Sequence, residues 1–209
     1  MRQLSRRSVL AIPAGLWLAS PAVSAPPGVG ERLAAAALKQ IGVTRSFDPN
    51  YHKIGYPGGD VPRSTGVCAD VAVRSVRDAL GLDLQKLVHE DMVRAFASYP
   101  SKRAWGLSAP DPNIDHRRVL NLETYWSRQG GRIWQARGYV NGSSFPAALR
   151  PGDFISWRLL RGEPHVAMVV QGGRDVRIVH NIGAGVEENS LLRMAFARAN
   201  GVYRWPERT

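Results

Sequence analysis

The sequence predicts an α+β fold, helices in its first half and an antiparallel sheet in its second. Three observations carry this. Apolar residues recur at helical spacing between Glu31 and Gln129, the pattern changes to an alternation of period two from Arg132 onward, and Gly, Pro and Asp clusters cut the second half into strand-length pieces. The chain has 209 residues and a formal net charge of +11. That length suits one domain with one sizeable core.

Residues 1–25 combine a basic start, a short apolar run through Leu18 and a small-residue end at Val23-Ser24-Ala25, the make-up of an export signal. Ser5-Arg6-Arg7-Ser8-Val9-Leu10 further resembles the twin-arginine class. The run is too short to anchor a helix across a bilayer, so the expectation is a periplasmic or secreted bacterial protein without stable membrane insertion. Residues 26–209 then form a single domain. Taking the three arginines of the signal from the 28 basic residues leaves 25 against 17 acids, a formal +8. The charge is spread without a dense basic run or an aromatic-basic motif, which argues against a nucleic-acid partner and fits either a solvated surface or attraction to polyanions of the cell envelope.

Along the mature chain, Glu31 to Ile41 reads as an amphipathic helix ending at Gly42, and Val43 to Thr65 as a structured loop. The next helix starts at Cys68, with apolar residues at 69, 72, 73, 76, 79 and 80, Asp70, Arg74, Arg77 and Asp78 on the opposite face, and Gly81 as its stop. Asp83 caps a further helix to Pro100. Residues 99–116 are loop, and Asp115-His116-Arg117-Arg118 precedes a helix from Val119 to Gln129. Strands are expected at Arg132–Gln135, Phe154–Leu159, His165–Gln171, Val176–His180 and Val202–Trp205, with turns at Pro151-Gly152-Asp153 and Gly172-Gly173.

The chemistry concentrates on Cys68, the one cysteine of the chain. In a helix's first turn a thiol faces unpaired amides and the positive end of the dipole, which favours the thiolate and lowers its pKa below the free value of about 8.5. A lone cysteine buried as a small hydrophobe is the competing reading, and a first-turn position alone does not decide between them. Two histidines shift the balance. His165 opens one strand and His180 closes the next, so a two-residue turn at Gly172-Gly173 pairs them directly across the ladder; a four-residue turn moves the partner of His165 to Ile182. Cys68 as nucleophile, His165 as base and His180 as orienter fill the three roles that thiol attack on an amide needs. Zinc is the rival use of Cys and His, but the chain has no second Cys and no close His-x-x-x-His pair, so neither metal nor cofactor is expected. Asp115-His116-Arg117-Arg118 reads either as a helix start with solvated charges or as a clamp for substrate carboxylates, which paired guanidinium groups recognise bidentately.

These residues resemble the NlpC-type cell-wall peptidases, papain-like cysteine enzymes. The resemblance lies in Tyr56 a dozen residues before Cys68, Pro151-Gly152-Asp153, His165-Val166-Ala167-Met168-Val169 and Ile178-Val179-His180. Within that group the chain is most similar to the domain-of-unknown-function family 1287 of exported bacterial proteins. The similarity runs through Tyr56-Pro57-Gly58-Gly59-Asp60-Val61-Pro62, His89-Glu90-Asp91-Met92, Asn113-Ile114-Asp115-His116-Arg117-Arg118 and His180-Asn181-Ile182-Gly183-Ala184-Gly185. The resemblance implies a papain-like fold with the Cys68 helix packed on the sheet and His165 and His180 facing it, an insertion at about 84–145, and Tyr56 donating to the oxyanion beside the Cys68 amide. It implies a monomeric amidase or peptidase cutting peptidoglycan stem peptides. Val67-Cys68-Ala69-Asp70 replaces the usual Asp-Cys-Ser-Gly, which separates the fold and the triad from the choice of substrate. A muropeptide-binding module without catalysis, and an acyl transferase or lipid hydrolase using the same triad, are the rival functions.

Overall fold

A six-stranded antiparallel sheet divides the protein into two apolar layers. Residues 26–206 are described by the computed structural model, and the export signal expected at 1–25 lies outside the described residues. In chain order the elements are α1 (Val29–Leu38), a two-residue parallel pair β1 (Ser46–Phe47) and β2 (Thr65–Gly66), α2 (Cys68–Leu80), α3 (Leu84–Ala95), α4 (Ser101–Trp105) and α5 (Val119–Arg128). Then follow β3 (Arg132–Gln135), β4 (Phe154–Arg158), β5 (Pro164–Gln171), β6 (Arg177–Asn181), β7 (Val186–Ser190) and β8 (Arg198–Tyr203), ordered β3-β8-β4-β5-β6-β7 across the sheet. The protein is α+β, as its periodicities predict.

Strand alternation sorts the core. Phe154, Val166, Met168, Val179 and Tyr203 point to the helices, where they meet Leu33 and Ala37 of α1, the apolar face of α2, and Trp126 of α5. Trp126 stacks on Phe154 with ring centroids 4.3 Å apart. The intervening residues Ile155, Trp157, Ala167, Val169 and Ile178 face the other way, under Leu191, Met194 and Ala197. Each large side chain so buried contributes roughly 1.5–3 kcal/mol.

The Pro151-Gly152-Asp153 turn joins both halves. Gly152 has φ +86°, and a side chain there would meet the backbone of Gly30 in α1, so only glycine lets α1 come this close. Asp153 is fully buried and receives the Arg204 guanidinium at 2.7 and 2.8 Å, fastening the turn to the end of β8.

Two expectations are corrected by packing. Asp70 and Arg74 do not form a solvated face of α2. Their relative exposures are 2% and 1%, because α2 is enclosed from Cys68 to Val76, while Asp78 near its end stays exposed. Arg74 pairs with Asp60 at 2.9 Å, and Asp70 pairs with Arg117 at 3.0 Å. The second correction is the β5–β6 register. A two-residue turn sets Met168 opposite Arg177, whereas Met168 pairs with Val179 and Val169 with Ile178. The connection is longer, and the slip of two residues keeps every side chain on its face. The sheet also contains β7, whose Glu187-Glu188 pair hides its strand character, and β8 begins at Arg198 rather than Val202. α1 ends at Leu38, short of the expected Ile41.

Candidate active site

Cys68 is the first residue of α2, held there by its own turn. The Asp70 carboxylate accepts the Val67 amide at 2.7 Å, a reciprocal cap that fixes where the helix starts, and at the other end Gly81 adopts φ 66° and donates to the Arg77 carbonyl. The lead-in is pinned from across the molecule. Asn181, fully buried at the end of β6, donates to the carbonyls of Gly66 at 2.9 Å and Ser46 at 3.2 Å, while its oxygen accepts the Gly183 and Gly185 amides. Sequence reasoning noted the His180–Gly185 run without giving Asn181 a task. An Asn two and four residues ahead of glycines, at 183 and 185, was the available signal.

The thiol is 7% exposed, and the Val166 amide of β5 points at it. The β5–β6 ladder runs from Gln171↔Arg177 only as far as Met168↔Val179, so it ends two residues short of Val166. Burial pushes the thiol up to about 11 and the Asp70 charge adds to this; the Val166, Ala69 and Cys68 amides pull it down by less. The lowered pKa expected from the helix dipole is thereby reversed, because desolvation outweighs the first-turn amides.

The histidine pair is formed. His165 Nε2 and His180 Nδ1 are 2.9 Å apart, both rings buried. Directly opposed residues are not needed, since the slipped register still leaves the two on one face as diagonal neighbours. That face is the one shared with Trp157, whose ring lies 5.8 Å from that of His165 and whose backbone pairs with it. Val166 and Met168 take the face toward α2. The expectation that both histidines face the Cys68 helix is therefore corrected. Cys68 approaches β5 from the α2 side and the imidazoles from the Trp157 side, and no hydrogen bond joins the thiol to either ring. Burial drives His165 down to about 3, helped by His180, and His180 down to about 4 against the pull of Glu187. All three groups are neutral at pH 7.

Beside Cys68 opens a cleft of about 380 Å³ lined by Phe47, Tyr51, Trp105, Arg118, Leu120 and Pro164, among others. Its tyrosine is Tyr51, which donates to Asp111 at 3.0 Å. Tyr56 does not line it. Gly58 and Gly59 are tied to Asp83 and Gln85 at the start of α3, at 2.7 and 2.8 Å, and this draws Tyr56 against His89, ring centroids 5.1 Å apart.

The four residues read as a carboxylate clamp separate into different tasks. Arg117 borders the cleft, but its side chain is 2% exposed and is spent on Asp70 and on the Asp48 and Asn50 carbonyls. Asp115 is buried, receives the Asp111 amide and Asn121, and is raised to about 6 by that burial. His116 is 2% exposed, is lowered to about 4 by burial, and has an Nδ1 without a partner. Arg118 also lines the cleft, its guanidinium 4.2 Å over the Trp105 ring and 3.4 Å from the Asp115 carboxylate. Among the described residues no group of three or more His, Cys, Asp or Glu could hold a metal ion, and no helix is long and apolar enough to cross a membrane.

Comparison with known proteins places the chain. A family model described as a domain of unknown function, DUF1287, matches residues 34–205. The uncharacterized protein YijF of Escherichia coli (strain K12) is 45% identical over 185 residues, which is 84% of each chain. The protein therefore belongs to the DUF1287 family.

Proposed function

We propose that the protein is an exported cysteine amidase or peptidase of papain-like, NlpC-type fold that hydrolyses amide bonds in peptidoglycan stem peptides. The observation that supports this best is the buried His165–His180 hydrogen bond of 2.9 Å, set on the strand whose next amide, that of Val166, is directed at the Cys68 thiol. A mutually bonded imidazole pair beside a first-turn cysteine is the equipment of thiol-based acyl transfer.

In the proposed reaction the substrate carbonyl enters through the cleft and its carboxylate is held by Arg118 on Trp105. The Cys68 proton passes to His165 beyond the end of the β5–β6 ladder. The sulfur bonds to the carbonyl carbon, and the Cys68 amide stabilises the oxyanion. Collapse breaks the C–N bond while the imidazolium of His165 protonates the leaving amine, and water activated by His165 then releases the acid from the thioester. With the thiol near 11 and His165 near 3, no ion pair exists at rest. Proton transfer and carbon–sulfur bond formation must go together, and water-excluding occupation of the cleft must bring thiol and imidazole into contact.

A second reading has its own support. The buried neutral thiol and the missing Cys68–His165 hydrogen bond suit a module that grips muropeptides in the same cleft without cutting them. Purified sacculi digested with the mature protein and with Cys68→Ala, analysed by mass, separate the two. Amide cleavage lost in the variant supports the enzyme. Equal binding by both and cleavage by neither supports the module.

A further inference from the structure

The bonded chain does not end at His180. On the far side of its ring, Nε2 lies 3.2 Å from the amide nitrogen Nδ2 of Asn189, which stands on β7 and is 8% exposed. Asn189 pairs across the ladder with Ile178, so it shares the face of the histidines, and among the described residues its side chain makes no other hydrogen bond. Glu187 also approaches, its carboxylate 4.0 Å from the same Nε2 and its residue directly opposite His180.

We infer that Asn189 is a positioning residue that sets the tautomers of both histidines by accepting the His180 Nε2–H through its amide oxygen.

Protons are few along this line of neutral groups. Each neutral imidazole carries one N–H, and the single hydrogen bond between His165 Nε2 and His180 Nδ1 holds one proton. If that proton belongs to His165 Nε2, then His165 Nδ1 is a free base and the proton of His180 sits on Nε2, where it requires an acceptor. If it belongs to His180 Nδ1, then His165 carries its own proton on Nδ1 and its one lone pair, on Nε2, is already engaged by His180, so it has no free nitrogen to take a proton. What faces His180 Nε2 therefore decides the state of an atom at the other end of the chain. The nitrogen and oxygen of the Asn189 amide occupy the same volume after a half-turn, so sterics do not choose between them. The Glu187 carboxylate does: a negative charge 4.0 Å away favours the proton on Nε2 and hence the amide oxygen toward it. Asn189 alone reaches hydrogen-bonding distance; Glu187, 45% exposed, biases the choice without making the bond. The other groups at the pair are the Trp157 ring and the charge of Arg193, and neither can accept from Nε2.

The inference rests on the reading of His165 as base, but its test needs no substrate. The mature protein, ¹⁵N-labelled at histidine, is examined by NMR at pH 7, where both rings are neutral. Native protein is expected to show His180 protonated at Nε2 and His165 free at Nδ1. Asn189→Asp, an acceptor only, should keep both tautomers and raise the His180 pKa. Asn189→Leu should lose the Nδ1-free form of His165 as the sole species, although thermal melting confirms a folded sheet. A native His180 protonated at Nδ1, or tautomers unchanged in Asn189→Leu, overturns the inference. Failure of sacculus cleavage with the expected tautomers overturns the amidase reading and leaves the role of Asn189 standing.

Discussion

Replacing Arg117 with methionine tests whether this arginine is a substrate ligand or a structural ion. Methionine keeps much of the volume and removes the charge. In the structure the side chain is 2% exposed and its partner Asp70 3%; the contacts to Asp70 are 3.0, 3.3 and 3.0 Å, with further bonds to the Asp48 and Asn50 carbonyls. Removing one member of such a pair leaves an uncompensated buried carboxylate, which costs about 3–5 kcal/mol. For a domain of this size that corresponds to a fall in Tm of about 6–20 °C. Asp70→Asn should cost the same order, with an added loss because the Val67 amide exchanges a carboxylate for a neutral acceptor at the start of α2. The double variant should cost clearly less than the two singles together, with a coupling of about 1–3 kcal/mol. Urea unfolding of the four proteins with a common m-value provides the measurement. Should Arg117→Met lie within about 0.5 kcal/mol of native, as ordinary surface changes do, the buried pair is not formed and Arg117 is free for a ligand.

The remaining predictions concern the site. Iodoacetamide labelling of Cys68 in native protein should be slow at pH 7, where about one thiol in ten thousand is ionised, and should climb about tenfold per pH unit to near pH 11; a plateau by pH 9 contradicts the burial that raises it. Stability should fall as pH drops from 6.5 toward 4. His165, His180 and His116 all have folded values lowered from 6.5, so the unfolded chain binds more protons in that window. Asp115, raised to about 6, opposes them with one proton, leaving a net uptake on unfolding of about two near pH 5. A flat urea midpoint from pH 7 to 5 refutes this assignment. His165→Gln should lower turnover to near the Cys68→Ala level while His180→Gln retains a measurable fraction, since loss of a base costs more than loss of its orienter; the reverse order exchanges their roles.

Much of this was legible in the sequence because local patterns dictated it. Cys68 opens its helix because Asp70 caps Val67 and Gly81 ends the run. The histidines meet because period-two alternation fixes the face, and a register error of two residues leaves the face unchanged. What the sequence concealed are pairings over long separations. Asp70 and Arg74 look like solvent residues on a helical wheel and become core residues only when Arg117 and Asp60 arrive from other segments. The same arrival consumes Arg117 and leaves the cleft with Arg118. Tyr56 follows Asp83 and Gln85 rather than Cys68, a tie that spacing cannot reveal. The side of the sheet taken by the imidazoles relative to α2 followed from Val166 and Met168 claiming the helix face, which alternation alone could not orient. The thiol pKa is set by burial, a tertiary property that a helix's first turn does not reveal.

The proposed chemistry requires that Cys68 carry an acyl group during turnover. Intact-mass analysis of the mature protein, quenched with acid within seconds of mixing with purified muropeptides, measures this directly. The account predicts a species heavier by the acyl part of the stem peptide, located at Cys68 by peptide mapping, absent from Cys68→Ala and longer-lived when His165 is replaced after acylation is forced by an activated ester. An unmodified Cys68 at every time point, in a preparation that binds the same muropeptides, would contradict it.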